Sequence, residues 1–107
     1  MTWWVGILNQ TVEREIAALP KDMQAKLLRI VGMIEDLGLD RMREPHVKHL
    51  RDSLWEMRMI GRDGIARAIY VTVSGRRIVI MRAFRKKTQK TPQSEIELAL
   101  KRAKDLK

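Results

Sequence analysis

Hydrophobic and polar positions follow two different periods along the chain. Apolar residues recur every three or four positions in the first half, as in Met23, Leu27, Ile30 and Ile34, and again near residue 100. Shorter runs in the second half are rich in apolar and β-branched residues between turn sequences. The first pattern is typical of amphipathic helices and the second of strands. Together they predict strands over 2–8, 54–60, 65–73 and 77–85, and helices over 11–19, 20–38 and 92–106.

Capping residues and breakers indicate where these elements end. Thr11 is a candidate N-cap for the first helix, Pro20 fits the first turn of the second, and Gly38 is a natural C-cap. The next segment, 39–53, contains Pro45, carries many charges and has no sustained period. This composition is typical of a surface connection, so we expect a loop there.

Short turn sequences join the last three predicted strands. Gly-Arg-Asp-Gly at 61–64 and Ser-Gly at 74–75 suit tight hairpins, so these strands should form an antiparallel meander. With no repeat or linker in 107 residues, we expect a single domain over 1–107 of the α+β class. Its antiparallel sheet would comprise the N-terminal strand and the meander. An N-terminal helical hairpin and a C-terminal helix would pack against that sheet.

Charged side chains occupy unusual positions in the predicted strands. Because successive strand residues point to opposite faces, Glu56 and Arg58 share one face. By the same rule Arg67 lies in an apolar row, and Arg82 lies in the row that contains Ile80. A charge in an apolar row needs a partner or a function.

Charge is distributed unevenly between the two halves of the chain. Residues 1–54 hold eight Lys or Arg and eight Asp or Glu, whereas residues 55–107 hold fourteen and five. All of the net charge of +9 therefore lies in the second half. A field of one sign attracts a polyanion, and nucleic acid is the first partner to consider. The run 78–92, IVIMRAFRKKTQKTP, contributes five cations and no acid.

The basic residues of the meander form a candidate phosphate site. Arginine forks match phosphate oxygens, and cations stabilise the charge that develops on phosphorus during RNA cleavage. Glu56 is a candidate base or an ion-pair partner of these arginines. Trp55 and Phe84 are candidates for stacking on an unpaired base. If the meander forms, these cations come from neighbouring strands and the following turn and converge on one patch: Arg58, Arg67, Arg82, Arg85, Lys86, Lys87 and Lys90.

Other kinds of chemistry find little support in the residue pattern. His46 and His49 lack a third ligand and the HExxH spacing, so we expect no metal site and no cofactor. No serine stands in an elbow motif with a paired base. Without cysteines, a signal-peptide pattern or a run of about 20 apolar residues, the chain is expected to be cytoplasmic and not to contact a membrane.

Four segments carry a resemblance to a known family. They are PHVKHL at 45–50, LWEMR at 54–58, RAIY at 67–70 and FRKKTQKTP at 84–92, and the last is the most specific. With these segments the chain resembles the phage-derived, HigB-like branch of the RelE/ParE toxin superfamily. The predicted order of elements over almost the whole chain is also similar to the RelE fold.

The resemblance implies the toxin of a type II toxin–antitoxin pair. RelE-like members are metal-free endoribonucleases that cut mRNA on the ribosome with the RNA's own 2′-hydroxyl as the nucleophile. The implied partners are mRNA, the ribosome and a cognate antitoxin of the helix-turn-helix type, with operator DNA bound only through the antitoxin.

The same resemblance implies roles for individual residues. Arg58 and Arg67 would bind phosphate or stabilise charge, and Lys86 or Lys87 would be the basic residue at the end of the last strand. The chain departs from the family pattern in two ways. Arg82 stands where this branch more commonly has histidine. In addition, Glu56 stands where ribosome-dependent relatives can carry lysine, and the terminal helix has no tyrosine.

Charge and resemblance together favour a ribonuclease that leaves 2′,3′-cyclic phosphate ends. In this hypothesis Glu56 acts as a base, and the scissile phosphate is held by Arg58, Arg67, Arg82, Lys86 and Lys87. The alternative is a ParE-like toxin that binds DNA gyrase without cutting RNA. A basic RNA-binding adaptor without catalysis is a third, less specific function.

Overall fold

The computed structural model describes residues 3–42, 46–73, 76–86 and 90–106, with the backbone alone for Asp40 and Lys86. Within these ranges the chain forms five strands and three α-helices, and none of these helices is long and apolar enough to cross a membrane. The elements are β1 (Trp4–Ile7), α1 (Gln10–Ala17), α2 (Lys21–Leu37), a 3-10 turn (Leu39–Arg41), β2 (Val47–Arg51), β3 (Leu54–Gly61), β4 (Gly64–Val73), β5 (Arg77–Lys86) and α3 (Gln93–Ala103).

The five strands form one sheet in the order β1-β5-β4-β3-β2. Strands β3, β4 and β5 are antiparallel neighbours, which confirms the predicted meander and the α+β class. Strand β1 instead pairs in parallel with β5, from Trp4 opposite Arg77 to Ile7 opposite Ile80. The prediction of a wholly antiparallel sheet is therefore wrong at this edge. A parallel neighbour needs a long crossover, and the elements between β1 and β5 supply it.

An additional strand lies where the sequence pattern indicated a loop. Strand β2 pairs antiparallel with β3, so the prediction of a loop over 39–53 is wrong for Val47–Arg51 and for the turn at Leu39–Arg41. Val47 is the one fully buried residue of this strand. A short edge strand with mostly polar side chains lacks the alternation on which a sequence prediction depends.

Local signals fix the ends of the helices. Asn9, rather than the predicted Thr11, caps α1, because its Oδ1 accepts a hydrogen bond from the Val12 amide at 3.1 Å. The asparagine precedes the helix and satisfies a free amide of the first turn. Gly38 ends α2 as predicted, with a φ of 90° that glycine adopts without strain.

The two faces of the sheet are covered by different helices. We call the face that packs against α1 and α2 the hairpin face, and its large core includes Met23, Ile34, Met57 and Tyr70. We call the opposite face the α3 face. Its smaller core consists of Leu54, Ile69, Val71, Val79, Met81, Phe84 and Ala99. Burial of apolar side chains on both faces is the main driving force for this fold.

A β-bulge in β5 changes which of its side chains share a face. Ile69 lies opposite Arg82, whereas Tyr70 lies opposite Ile80, so Met81 is an extra residue in the ladder. Ile80 therefore belongs to the core of the hairpin face, while Arg82 lies on the α3 face with its neighbour Ile69. The predicted common row of Ile80 and Arg82 is wrong, because alternation fails at an inserted residue.

Gly61, at the end of β3, packs closely against α2. A Cβ built on Gly61 would lie 2.7 Å from Asp22 Oδ2 and 2.8 Å from Met23 Cγ, and Met23 is fully buried. We expect Gly61→Ala to lower the free energy of unfolding by about 1 to 3 kcal/mol, as at other overpacked sites. Urea unfolding measures this change.

The matched control is Gly32→Ala in the middle of α2. No atom lies within 4 Å of a Cβ added there. This variant should raise the free energy of unfolding by about 0.5 to 1 kcal/mol, because alanine favours a helix more than glycine does. Equal effects of the two substitutions would contradict the contact between β3 and α2.

Candidate nucleic-acid interface

A buried carboxylate joins two arginines on the α3 face of the sheet. Glu56 of β3 lies opposite Ile69 of β4, and two residues further Arg58 lies opposite Arg67. The Glu56 carboxylate accepts a hydrogen bond from Arg58 Nε at 3.1 Å and lies 3.9 Å from Arg67 Nε. We call Glu56, Arg58 and Arg67 the central cluster.

Most of the central cluster is withdrawn from solvent. The side chains of Glu56 and Arg67 are 1% and 0% exposed, whereas that of Arg58 is 19% exposed. Burial lowers the pKa of the Arg67 guanidinium from its usual range, the charge of Glu56 opposes this shift, and the charge of Arg58 adds to it. Arginine stays protonated at neutral pH even so, and the cluster therefore holds two cations beside one carboxylate.

Thr91, just before α3, contacts the central cluster. The Thr91 hydroxyl donates a hydrogen bond to Glu56 Oε1, and Thr91 lies two residues before the start of α3. This bond ties the beginning of α3 to β3. Lys90, the preceding residue, is exposed. Lys87 lies outside the described residues, and Lys86 is described only by its backbone at the end of β5.

Arg82 lies on the same face but is held by two other carboxylates. Its Nε and Nη2 lie 2.6 Å and 3.1 Å from the two oxygens of Glu95 on α3, and its Nη1 lies 2.9 Å from Glu15 on α1. The hydrogen bonds with Glu95, helped by the charge of Glu15, raise the pKa of Arg82 although burial opposes the shift. A bidentate pair fixes orientation as well as charge. Arg82 therefore joins α1, β5 and α3.

Glu15 is the centre of this second ionic group. Its carboxylate lies 3.0 Å and 2.8 Å from the two terminal nitrogens of Arg102 on α3, and it accepts a hydrogen bond from the Ala83 amide at 3.1 Å. Arg102 also donates to the Met81 carbonyl at 2.9 Å, so side chains satisfy the backbone around the bulge. We call the following residues the bridging network: Glu15, Arg82, Glu95 and Arg102.

Opposing effects set the ionisation of Glu15. Burial acts to raise the pKa of its carboxyl, but the hydrogen bonds from Arg102 and Ala83, together with the charges of Arg82 and Arg102, outweigh it. The pKa of Glu15 therefore lies below its ordinary value. The ionised carboxylate is the form that holds α1 to α3.

The two aromatic candidates do not share a surface with the central cluster. Trp55 is half-buried on the hairpin face, where its ring centre lies 4.8 Å from that of His49. Phe84 is 7% exposed within the α3-face core, and the Arg82 guanidinium lies 5.6 Å from its ring centre. The two rings point to opposite faces of the sheet, so they do not form one stacking surface, and base stacking by either ring stays a prediction.

The predicted convergence of all the basic residues is only partly present. Arg85 lies opposite Ala66 on the hairpin face, where its Nη2 donates to the Asp63 carbonyl at 2.7 Å. Strand alternation after the bulge therefore places Arg85 away from the α3 face. Of the candidate cations whose side chains are described, Arg58 and Arg67 are the pair that meets at Glu56.

A second basic cluster lies between α2 and the edge of β3. A cavity of about 130 Å³ is lined there by four basic side chains and by apolar walls. We call these four residues the basic cavity: Lys26, Arg29, His46 and Arg58. The sequence reasoning missed it, because the three-residue spacing of Lys26 and Arg29 indicates a common helix face but not which strand that face meets.

A family match covers most of the chain. Residues 14–104 match the family described as phage derived protein Gp49-like (DUF891). The chain belongs to this Gp49-like family. The matched range of the Gp49-like chain contains the central cluster, the bridging network and the basic cavity. A comparison with curated proteins gives no match.

Two solved structures share the fold of the Gp49-like chain. A mutant of the E. coli toxin RelE in the free state has a TM-score of 0.68 at 15% identity, covering 95% of this chain and 98% of that one. A chain of the archaeal RelE–RelB complex from Pyrococcus horikoshii OT3 has a TM-score of 0.59 at 24% identity, covering 84% and 100%. The family match and the shared fold confirm the predicted place in the RelE/ParE toxin superfamily.

The lowered pKa of Glu15 makes part of the folding free energy sensitive to acid. A carboxyl whose pKa is lower in the folded state stabilises the fold at any pH above its unfolded-state pKa, which is near 4.5 for Glu15. This stabilisation is lost as the pH falls through the folded-state pKa. We expect Glu15→Gln to lower the free energy of unfolding at pH 7 by about 1 to 3 kcal/mol, because charge-assisted hydrogen bonds are removed. The difference from wild type should shrink below about pH 5.

The control for this prediction is Glu13→Gln, an exposed carboxyl on the same helix. It changes the net charge by the same amount and should leave the stability and its pH dependence nearly unchanged. Thermal unfolding of the three proteins from pH 7 to pH 3 provides the measurement. A difference between Glu15→Gln and wild type that stays constant over this range would contradict the ionic role of Glu15.

The central cluster should behave as a coupled unit. Glu56→Gln removes the carboxylate nearest to a fully buried guanidinium and should lower the free energy of unfolding by about 3 kcal/mol. Adding Arg67→Met should recover about 1 kcal/mol or more, because the buried charge is removed together with its counter-charge. Urea unfolding of both single variants and the double variant gives the coupling energy. Additivity within about 0.5 kcal/mol would rule out the proposed coupling.

Proposed function

We propose that this chain is the toxin of a type II toxin–antitoxin system and acts as a metal-independent mRNA endoribonuclease. The observation that carries the proposal is the central cluster, in which one carboxylate and two guanidinium groups meet on one face of the sheet. Such a set combines a proton acceptor with the cations that a phosphoryl transition state requires. The fold shared with the RelE and RelE–RelB structures supports the toxin role.

Cleavage in this proposal uses the 2′-hydroxyl of the RNA. Glu56 accepts the proton of this hydroxyl while the 2′-oxygen forms a bond to the adjacent phosphorus. The bond between that phosphorus and the 5′-oxygen of the next nucleotide then breaks. The leaving oxygen takes a proton from water. The products are a 2′,3′-cyclic phosphate and a 5′-hydroxyl. Arg58 and Arg67 stabilise the extra negative charge of the phosphorane.

Substrate access in this proposal requires Thr91 to release Glu56. The Thr91 hydroxyl now donates to Glu56, and Arg58 is the most exposed member of the central cluster. The RNA would contact Arg58 first, and its 2′-hydroxyl would then replace the Thr91 hydroxyl as donor to the carboxylate. Thr91 thus stands in for the nucleophile when no substrate is bound.

The remaining candidate residues take supporting roles in this proposal. Arg82 positions α3 through its bonds to Glu95 and does not contact the phosphate. Lys86, Lys87 and Lys90 contribute positive charge that attracts the RNA backbone. No cofactor takes part in the reaction.

The proposed partners follow from the toxin role. They are mRNA on the ribosome and a cognate antitoxin of the helix-turn-helix type, with operator DNA reached only through the antitoxin. The archaeal RelE–RelB complex supports the antitoxin partner. The motifs in 45–50 and 84–92 support the HigB-like branch, and the toxin would act in the cytoplasm.

RNA cleavage by matched variants tests the proposal. Proteins made by cell-free synthesis would be mixed with ribosomes and mRNA, and the new 5′ ends would be mapped by sequencing. We expect Arg58→Ala to slow cleavage about a hundredfold or more, because one donor to the transition state is removed. Arg85→Ala removes the same charge on the hairpin face and should cut at the wild-type rate.

The chemistry of the RNA ends and the wild-type control decide between the functions. Cleaved RNA should carry 2′,3′-cyclic phosphate, detectable by its resistance to ligation until the ring is opened. A wild-type protein that cuts no RNA, with or without ribosomes, would falsify the ribonuclease proposal. DNA damage in expressing cells would then favour a gyrase-binding toxin, and RNA binding alone would favour an adaptor.

A further inference from the structure

We propose that the basic cavity holds a backbone phosphate of single-stranded RNA next to the scissile one. The inference rests on the proposed function and adds a second binding position for the same RNA strand. It assigns Lys26 and Arg29, which lie outside the catalytic proposal, to substrate binding.

The cavity brings basic side chains from three parts of the chain to one opening. Lys26 and Arg29 lie three residues apart on α2 and therefore project from the same side of the helix. They meet the edge of β3 just beyond the end of β2, where the Arg58 amide donates to the His46 carbonyl at 2.9 Å. Each of the four basic side chains can donate N–H hydrogen bonds to an anion.

The charges of Lys26 and Arg29 are not balanced by the described part of the protein. Neither side chain forms an ion pair with a described residue, and no acid among the described residues lines the cavity. Arg82 and Arg102, in contrast, both contact Glu15. Cations gathered without counter-charge repel one another, so a bound anion would relieve that repulsion.

The size and walls of the cavity select a small anionic group. Its volume of about 130 Å³ is well below the roughly 300 to 1,000 Å³ of pockets that enclose a whole small molecule. The walls between the basic side chains are apolar and consist of Ile30, Met33 and Ile60. Apolar walls exclude water and so strengthen the attraction between cations and a phosphate. One phosphate group fits a cavity of this size, and the basic lining favours phosphate over an uncharged nucleobase.

Arg58 connects the cavity to the central cluster. Arg58 bonds Glu56 through its guanidinium, and the same residue is part of the cavity lining together with Lys26 and Arg29. In this proposal an RNA strand bound at the central cluster continues along Arg58 and places its adjacent phosphate in the cavity. Binding at two consecutive phosphates would hold the strand in a fixed position relative to Glu56, which favours reaction.

Binding of an uncleavable RNA tests the inference without requiring cleavage. The probe is a fluorescent single-stranded oligonucleotide with 2′-O-methyl riboses, titrated by anisotropy at several salt concentrations. We expect Lys26→Ala combined with Arg29→Ala to weaken binding about tenfold. The slope of log K against log[salt] should fall by about 0.7 for each RNA phosphate that the variant no longer neutralises.

The matched control is Arg14→Ala combined with Lys21→Ala, which removes the same charge from exposed positions outside the cavity. This variant should lose less affinity and keep the wild-type slope. Equal losses of RNA affinity in the two double variants would overturn the inference, because net charge alone would then explain the binding. Thermal unfolding of both variants would verify that they are folded.

The outcomes separate this inference from the proposed function. Cleavage by wild type with equal RNA binding by both double variants would reject the cavity and keep the nuclease. A specific loss of binding in the Lys26 and Arg29 variant, without cleavage by wild type, would keep the cavity and reject the nuclease. Stabilisation of wild type by inorganic phosphate, without oligonucleotide binding, would assign the cavity to a free anion and overturn the RNA assignment.

Discussion

The Glu56 carboxylate and the Arg67 guanidinium are both buried on the α3 face, and their contact constrains the strands that carry them. Each group would be far more costly to bury without the other. They meet only in the register that sets Arg58 opposite Arg67. A slip of one residue between these strands would turn one partner into the apolar core of the hairpin face. The alignment of β3 with β4 and the geometry of the central cluster therefore depend on each other.

The positive charge of the chain has two different uses in the fold. Arg82 and Arg102 are enclosed by Glu15 and Glu95, and they connect helices on either side of β5. Their charges are neutralised within the protein and contribute little to its external field. Lys26 and Arg29 have no such counter-charge in the described residues and face an opening. The excess of basic residues in a sequence segment is therefore a poor guide to where the surface is electropositive.

Periodicity predicted the three helices and the meander, because each of these elements buries enough apolar residues to produce a repeat in the sequence. It failed for β2, where Val47 alone is fully buried. Alternation correctly placed Glu56 with Arg58, but it could not reveal the extra residue at Met81 that moves Arg82 relative to Ile80. The basic cavity depends on how α2 packs beside β3, and such tertiary packing leaves no signal in either segment alone. The superfamily was predicted from the resemblance of short sequence motifs, because periodicity and charge alone do not identify a family.

The parallel pairing of β1 with β5 has a consequence for how the molecule is made. Trp4 lies opposite Arg77, so the first strand has no partner until the last one has left the ribosome. At synthesis rates of about 5 to 20 residues per second, that interval lasts about 4 to 15 seconds. Contacts between such distant segments also form late in folding, because closing the chain over them costs more entropy than closing a hairpin. A nascent copy therefore keeps an incomplete sheet until β5 has been added.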